Sequence, residues 1–102
     1  MAKETYYRGT PKPYTVYFLR LTGKGEEFYK IGVTEFLKRR ISKIRQSGYK
    51  IELLKTIELP PFDAIELESK LHGLHKKYSY TPVVKFGGYL ECYKQTKLDF
   101  KL

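Results

Sequence analysis

The chain has 102 residues, with 20 Lys and Arg against 11 Asp and Glu and a formal net charge of +9. A domain of that length buries roughly two-thirds of its unfolded surface, which gives one modest core and leaves no room for a second. The charge favours polyanionic partners, nucleic acid before anionic membrane, over a surface that is basic to no purpose. The single cysteine, Cys92, excludes an internal disulfide and a cysteine-rich zinc module. No apolar run reaches about 18 residues and no charged-then-apolar leader opens the chain, so a soluble, intracellular (cytoplasmic) protein with no membrane partner is expected.

Residues 1–13 read as a flexible basic tail, holding Arg8, Gly9, Pro11 and Pro13 without apolar period. The folded domain is expected over 14–102. Tyr14 to Leu21 is rich in β-branched and aromatic residues and predicts a strand. Thr22 to Glu27 predicts a turn, its glycines able to take positive φ, and Phe28 to Val33 returns as the second strand of a hairpin. A helix is expected from Glu35 or Phe36 to Ser47, with Thr34 as N-cap and Gly48 as its stop. Its apolar stripe is Leu37, Ile41 and Ile44.

Ile51 to Leu59 alternates, with Ile51, Leu53, Lys55, Ile57 and Leu59 on one face and Glu52, Leu54, Thr56 and Glu58 on the other. This predicts a third strand, ended by Pro60-Pro61. Asp63 with Glu66 forms a capping pattern for a second helix to about Tyr78, with the stripe Ala64, Leu67, Leu71, Leu74 and Tyr78. Val83 to Tyr93 holds Gly87-Gly88 and a short apolar-aromatic stretch suited to a small edge strand. Lys94 to Leu102 reads as a basic end. The order implies a small α/β (α+β) fold, a central three-stranded antiparallel sheet flanked by helices.

Several side chains in this frame could do chemistry. At about 100° per residue, Arg40 lies on the flank of the first helix's apolar stripe and is held beside the sheet, whereas Arg39 points to solvent. A helical Arg is ordinarily a snorkelling surface charge, and Arg39 is read that way. Glu68, His72 and His75 lie at i, i+4 and i+7 on the border of the second stripe. They suit a carboxylate holding a divalent cation, an ordinary Glu–His contact, or, least well, a zinc site. Tyr17 lies mid-strand with Leu19 and Leu21 on its face, where a packed core tyrosine is the plain alternative. Lys30, between Tyr29 and Ile31, faces either solvent or an anion. Gly32 allows a close backbone approach or a turn.

In order and spacing these positions resemble the GIY-YIG endonuclease family. Thr15-Val16-Tyr17 stands where the family has Gly-Ile-Tyr, and Lys30-Ile31-Gly32 where it has Tyr-Ile-Gly. Gly32-Val33-Thr34 continues as the family often does. Leu37 and Arg40 follow Gly32 by five and eight residues, where the family has an apolar residue and an Arg. Glu68-Ser69-Lys70-Leu71-His72 resembles the stretch that carries the family's metal-binding Glu. Gly88-Tyr89-Leu90-Glu91-Cys92-Tyr93 resembles the Gly-Glu-Trp-Phe-like ending of one phage and bacterial branch. The resemblance spans Thr15 to about Tyr93. It departs at Thr15, where the family has Gly, and at Lys30, where it has a second Tyr. Tyr29 is one place out of register and faces the other side of the sheet. Some branches, restriction enzymes among them, carry Lys there.

The resemblance implies a small GIY-YIG-like domain with endonuclease activity on DNA, or RNA, dependent on Mg²⁺ (or Mn²⁺). Tyr17 would take a proton from the attacking water, with Lys30 as the cationic neighbour a phenol needs to ionise near neutral pH. Arg40 would neutralise charge on the phosphoryl oxygens, and Glu68 would hold the metal. Lys38, Arg39, Lys43, Arg45 and His72 would contact nucleic acid. With no separate recognition domain, low specificity, a homodimer or delivery by a targeting partner protein is expected. Two alternatives stay open: a weakly active or inactive nucleic-acid-binding module on the same fold, and a protein-interaction or inhibitor role with incidental charge.

Overall fold

The strand Tyr14–Gly23 (β1) is apolar on both faces, which suits only a central position in a sheet covered on both sides. A computed structural model, which describes residues 12–87 and 91–96, places it there. The sheet order is β3-β1-β2-β4, with β2 Glu26–Thr34, β3 Lys50–Leu59 and β4 Cys92–Tyr93, and every neighbouring pair is antiparallel. The helices are α1 (Leu37–Arg45) and α2 (Pro61–His75), followed by a single 3₁₀ turn at Lys76–Tyr78. The chain is therefore a small α+β fold. Of the expected tail and basic end, residues 1–11 and 97–102 lie outside the described residues, as do Gly88, Tyr89 and Leu90.

Alternation along β1 divides the core in two. Tyr17, Leu19 and Leu21 pack with Phe28, Ile44, Tyr49, Phe86 and Cys92 on the side of α1. Val16 and Phe18 pack with Ile31, Ala64, Leu71 and Tyr93 on the side of α2. Burying an aromatic or aliphatic side chain of this kind contributes about 1.5–3 kcal/mol, so β1 anchors both layers. Lys24 and Gly25 join β1 to β2 with φ of 55° and 77°. Positive φ at both central residues is the two-residue hairpin geometry that matches strand twist.

The sheet has four strands, not three. Cys92 and Tyr93 pair with Lys30 and Tyr29 and form the small edge strand expected of the stretch ending at Tyr93, which joins the central sheet as its fourth member. α1 begins at Leu37, later than expected, because the Thr34 hydroxyl accepts the Phe36 N–H at 3.1 Å in the turn before the helix. Gly48, with φ of 95°, closes the turn that ends α1. α2 begins at Pro61, ahead of the expected Asp63 cap. A proline at the first helical position has φ preset and no N–H to satisfy, and Asp63 then sits in the first turn near the positive end of the dipole.

Two assignments of side-chain direction are corrected. The β1–β3 register shifts between Phe18 and Leu19, which pair with Lys55 and Leu53 and leave Leu54 as an extra residue. Such a bulge reverses the facing of the residues beyond it. Ile51 therefore packs on the α1 side, while Leu54, Ile57 and Leu59 pack on the α2 side. On α2, Leu74 is exposed and His75 is fully buried. His75 tolerates burial because Nδ1 lies 2.7 Å from the Leu71 carbonyl oxygen and Nε2 lies 3.1 Å from Thr96 Oγ1.

Glu26 ties the segment after α2 back to the hairpin. Its carboxylate accepts hydrogen bonds from the hydroxyls of Tyr49 and Tyr80, and from the Val83 N–H at 3.0 Å. The Tyr49 hydroxyl in turn accepts the Val84 N–H at 3.1 Å. Burial opposes ionisation of Glu26, but these donors outweigh it and hold the carboxyl below its ordinary value of 4.5. The hydrogen bond to Glu26, with burial, pushes the Tyr80 phenol up to about 12. A depressed carboxyl stabilises the fold above its unfolded pKa, and this is lost as pH falls through the folded value. A raised phenol stabilises below its unfolded pKa, and this is lost as pH climbs toward the folded one. Protection of the Val83 and Val84 amides, taken as the exchange rate relative to the unfolded chain at the same pH, should fall below pH 4.5 and again between pH 10 and about 12. In Glu26→Gln the acid limb should vanish; an acid limb that persists in that variant contradicts the clasp.

Candidate active site

Tyr17 and Gly32 face each other across β1 and β2. A Cβ built on Gly32 falls under 3.0 Å from Cζ, Oη and Cε2 of the Tyr17 ring. The glycine therefore provides the space in which the ring lies, and the turn alternative does not apply. Arg40 reaches from α1 and donates from Nη1 to the Tyr17 hydroxyl at 3.3 Å. Tyr17 itself is fully buried. Arg39 is exposed and stands 4.8 Å from the centroid of the Phe36 ring. The helix thus directs adjacent arginines to different tasks, and Arg40 is the one against the sheet.

Lys30 is fully buried on the same face of β2 as Gly32, with Nζ 5.8 Å from the Tyr17 ring centroid. It donates to Glu91 Oε1 at 3.1 Å. Lys30 is thus a buried cation beside the Tyr17 ring, not a solvent-facing strand residue. Beside it, burial pushes the Cys92 thiol up to about 12 against the pull of Lys30. Cys92 therefore stays protonated and is no nucleophile.

The second oxygen of Glu91 turns toward α2. His72 Nε2 lies 4.0 Å from Glu91 Oε2 and 3.3 Å from Glu68 Oε2. His72 Nδ1 is engaged by the Tyr93 hydroxyl. Burial, with Glu91 and Cys92 adding to it, pushes the Tyr93 phenol up to about 12, so it remains a neutral hydroxyl. His72 Nε2 is buried and has no hydrogen-bond partner. Glu68, His72 and Glu91 can present one ligand atom each within 4.8 Å of one another. An orphaned imidazole nitrogen between carboxylates is a donor set that fits a divalent cation. His75, engaged by Leu71 and Thr96, is not part of this group.

The expected site residues thus fall into linked groups. Tyr17, Arg40 and Lys30 are together, and Glu68 reaches them through His72 and Glu91. Arg40 and Lys43 also line a groove of about 690 Å³ with Lys85, Gln46, Ser47 and Phe86. Lys38 and Arg39 line a separate hollow with Thr15, Phe36 and Glu58. Arg45 is exposed. The basic residues of α1 therefore do not share one surface, and His72 sits with Glu68, away from them.

Glu91 was not among the residues singled out from sequence. The signal for it was Lys30, since a lysine buried in an apolar strand needs a partner for its charge, and Glu91 stands just before β4 beside it. Compared with protein-family models, curated proteins and solved structures, the chain finds no match.

Proposed function

We propose that this protein is a divalent-metal-dependent endonuclease of the GIY-YIG type that hydrolyses DNA phosphodiester bonds. The observation that carries the reading is the Arg40–Tyr17 hydrogen bond at 3.3 Å, beside a groove lined by Arg40 and Lys43. A phosphate in the groove has Arg40, Lys43 and Lys85 as its basic neighbours. As the guanidinium turns to the phosphoryl oxygens, it leaves the Tyr17 oxygen free to act as base: as the phenolate it takes a proton from the attacking water and becomes the phenol. Arg40 Nη1, 3.3 Å from the Tyr17 oxygen, and Lys30 Nζ, 5.8 Å from its ring centroid, are the basic groups beside that base. Arg40 then neutralises charge that grows on the phosphoryl group. Glu68 is the residue that would hold a metal ion, Mg²⁺ or Mn²⁺, and such an ion acts as a Lewis acid toward the leaving oxygen.

On this reading Arg40→Ala lowers the cleavage rate about 10²–10³-fold, by analogy with the loss of one transition-state donor. Substrate binding should weaken far less. Single-turnover cleavage of a labelled duplex, with affinity measured in parallel, separates the two effects, and an unchanged rate would overturn the assignment.

The complete burial of Tyr17 favours a second reading. In it the same fold binds nucleic acid without cleaving it, through the basic residues of α1. Binding would then weaken steeply with salt and be indifferent to Mg²⁺.

A further inference from the structure

Glu91 divides its carboxylate. Oε1 accepts from Lys30 at 3.1 Å, and Oε2 faces His72 Nε2. Lys30 thereby fixes the rotation of the carboxylate and neutralises one of the charges around His72. The other carboxylate, Glu68, stands one helical turn before His72 on α2, and its side chain is 14% exposed. The Tyr93 hydroxyl holds the imidazole from the far side at Nδ1, so only Nε2 can meet the carboxylates. A histidine oriented through one ring nitrogen, with the other turned to two carboxylates and making no hydrogen bond, is the arrangement of a metal ligand.

We propose that Glu68, His72 and Glu91 are the three protein ligands of a divalent transition-metal site that prefers Mn²⁺ to Mg²⁺, with Lys30 and Tyr93 orienting the ligands. The preference follows from the imidazole. Mg²⁺ demands oxygen ligands and retains its waters, whereas first-row transition ions accept nitrogen readily. The Glu91 side chain is 39% exposed, which leaves a path for an ion to enter. This deepens the nuclease reading, on which the role of Glu68 rests, but its test does not use cleavage.

Metal-free full-length protein is titrated with Mn²⁺, following the signal of the free ion by electron paramagnetic resonance, and Mg²⁺ is then used to displace the bound Mn²⁺. The wild type should show a site at which Mn²⁺ binds at least about tenfold more tightly than Mg²⁺. His72→Gln should lower Mn²⁺ affinity about 10- to 100-fold and bring the two ions together. Tyr93→Phe, which leaves every ligand in place, should weaken Mn²⁺ about tenfold. Circular dichroism confirms that each variant is folded, and Tyr93→Phe serves if His72→Gln is not. Equal affinity for the two ions in the wild type, or Mn²⁺ affinity unchanged in the folded variants, would overturn the proposal. So would no binding at all, which would leave Glu68, His72 and Glu91 an ordinary carboxylate–histidine contact. Selective Mn²⁺ binding in a protein that leaves DNA intact supports the site and removes the nuclease reading. Cleavage without ion preference does the reverse.

Discussion

Glu68→Ala is expected to abolish metal-dependent cleavage of DNA while leaving the fold and most of the DNA affinity in place. Glu68 is a partly buried carboxylate on α2 whose polar neighbour is His72 at 3.3 Å. Removing it takes away the proposed metal ligand and a contact at i, i+4, worth only a few tenths of a kcal/mol in a helix. The apolar contacts of α2, through Ala64 and Leu71, are untouched. The basic groove lies on the other helix. Cleavage should therefore fall to background while the thermal midpoint and salt-dependent binding stay near wild type. Undiminished Mg²⁺-dependent cleavage by the folded variant would sink the mechanism.

Gly32→Ala should damage stability and activity together. The added methyl collides with Cζ and Oη of Tyr17. That ring is the end of a side chain, but it is rigid and fully buried among Leu19, Phe28 and Cys92 in the α1-side core, so it cannot swing aside. Overpacking of this kind costs about 1–3 kcal/mol. A displaced hydroxyl also loses its alignment with Arg40, and a shift of about 1 Å in a reacting group can cost 10²-fold in rate. Denaturant midpoints and single-turnover rates measure the two effects. Tyr17→Phe supplies the contrast, since it should lose the rate while keeping most of the stability. If Gly32→Ala is as stable as wild type, the ring is not confined as described.

Much of the fold was legible because it rests on simple periods. The hairpin of β1 and β2 followed from apolar strands around Lys24-Gly25, and α1 followed from Leu37, Ile41 and Ile44. The same helical phase separated Arg40 from Arg39, and Arg40 is the one on the Tyr17 hydroxyl. The features that escaped have local causes. The bulge at Leu54 inverts the facing of Ile57 and Leu59, and strict alternation cannot reveal an extra residue. Pro61 reads as a strand stop but is also a good first helical residue. His75 displaced Leu74 from the buried stripe because its ring nitrogens found partners at Leu71 and Thr96, a compensation that hydropathy does not register. Glu91 lies far from Lys30 in sequence and becomes its partner only when β4 pairs beside β2.

On the proposed mechanism the Tyr17–Arg40 pair and the Glu68 cluster together break phosphodiester bonds. Its most direct test is incubation of purified protein with supercoiled plasmid in Mg²⁺ or Mn²⁺, with and without EDTA. Nicked or linear plasmid is expected with either ion, and none with the chelator. Salt-sensitive binding of intact plasmid, unaffected by metal or EDTA, would contradict the claim and leave a nucleic-acid-binding module in its place.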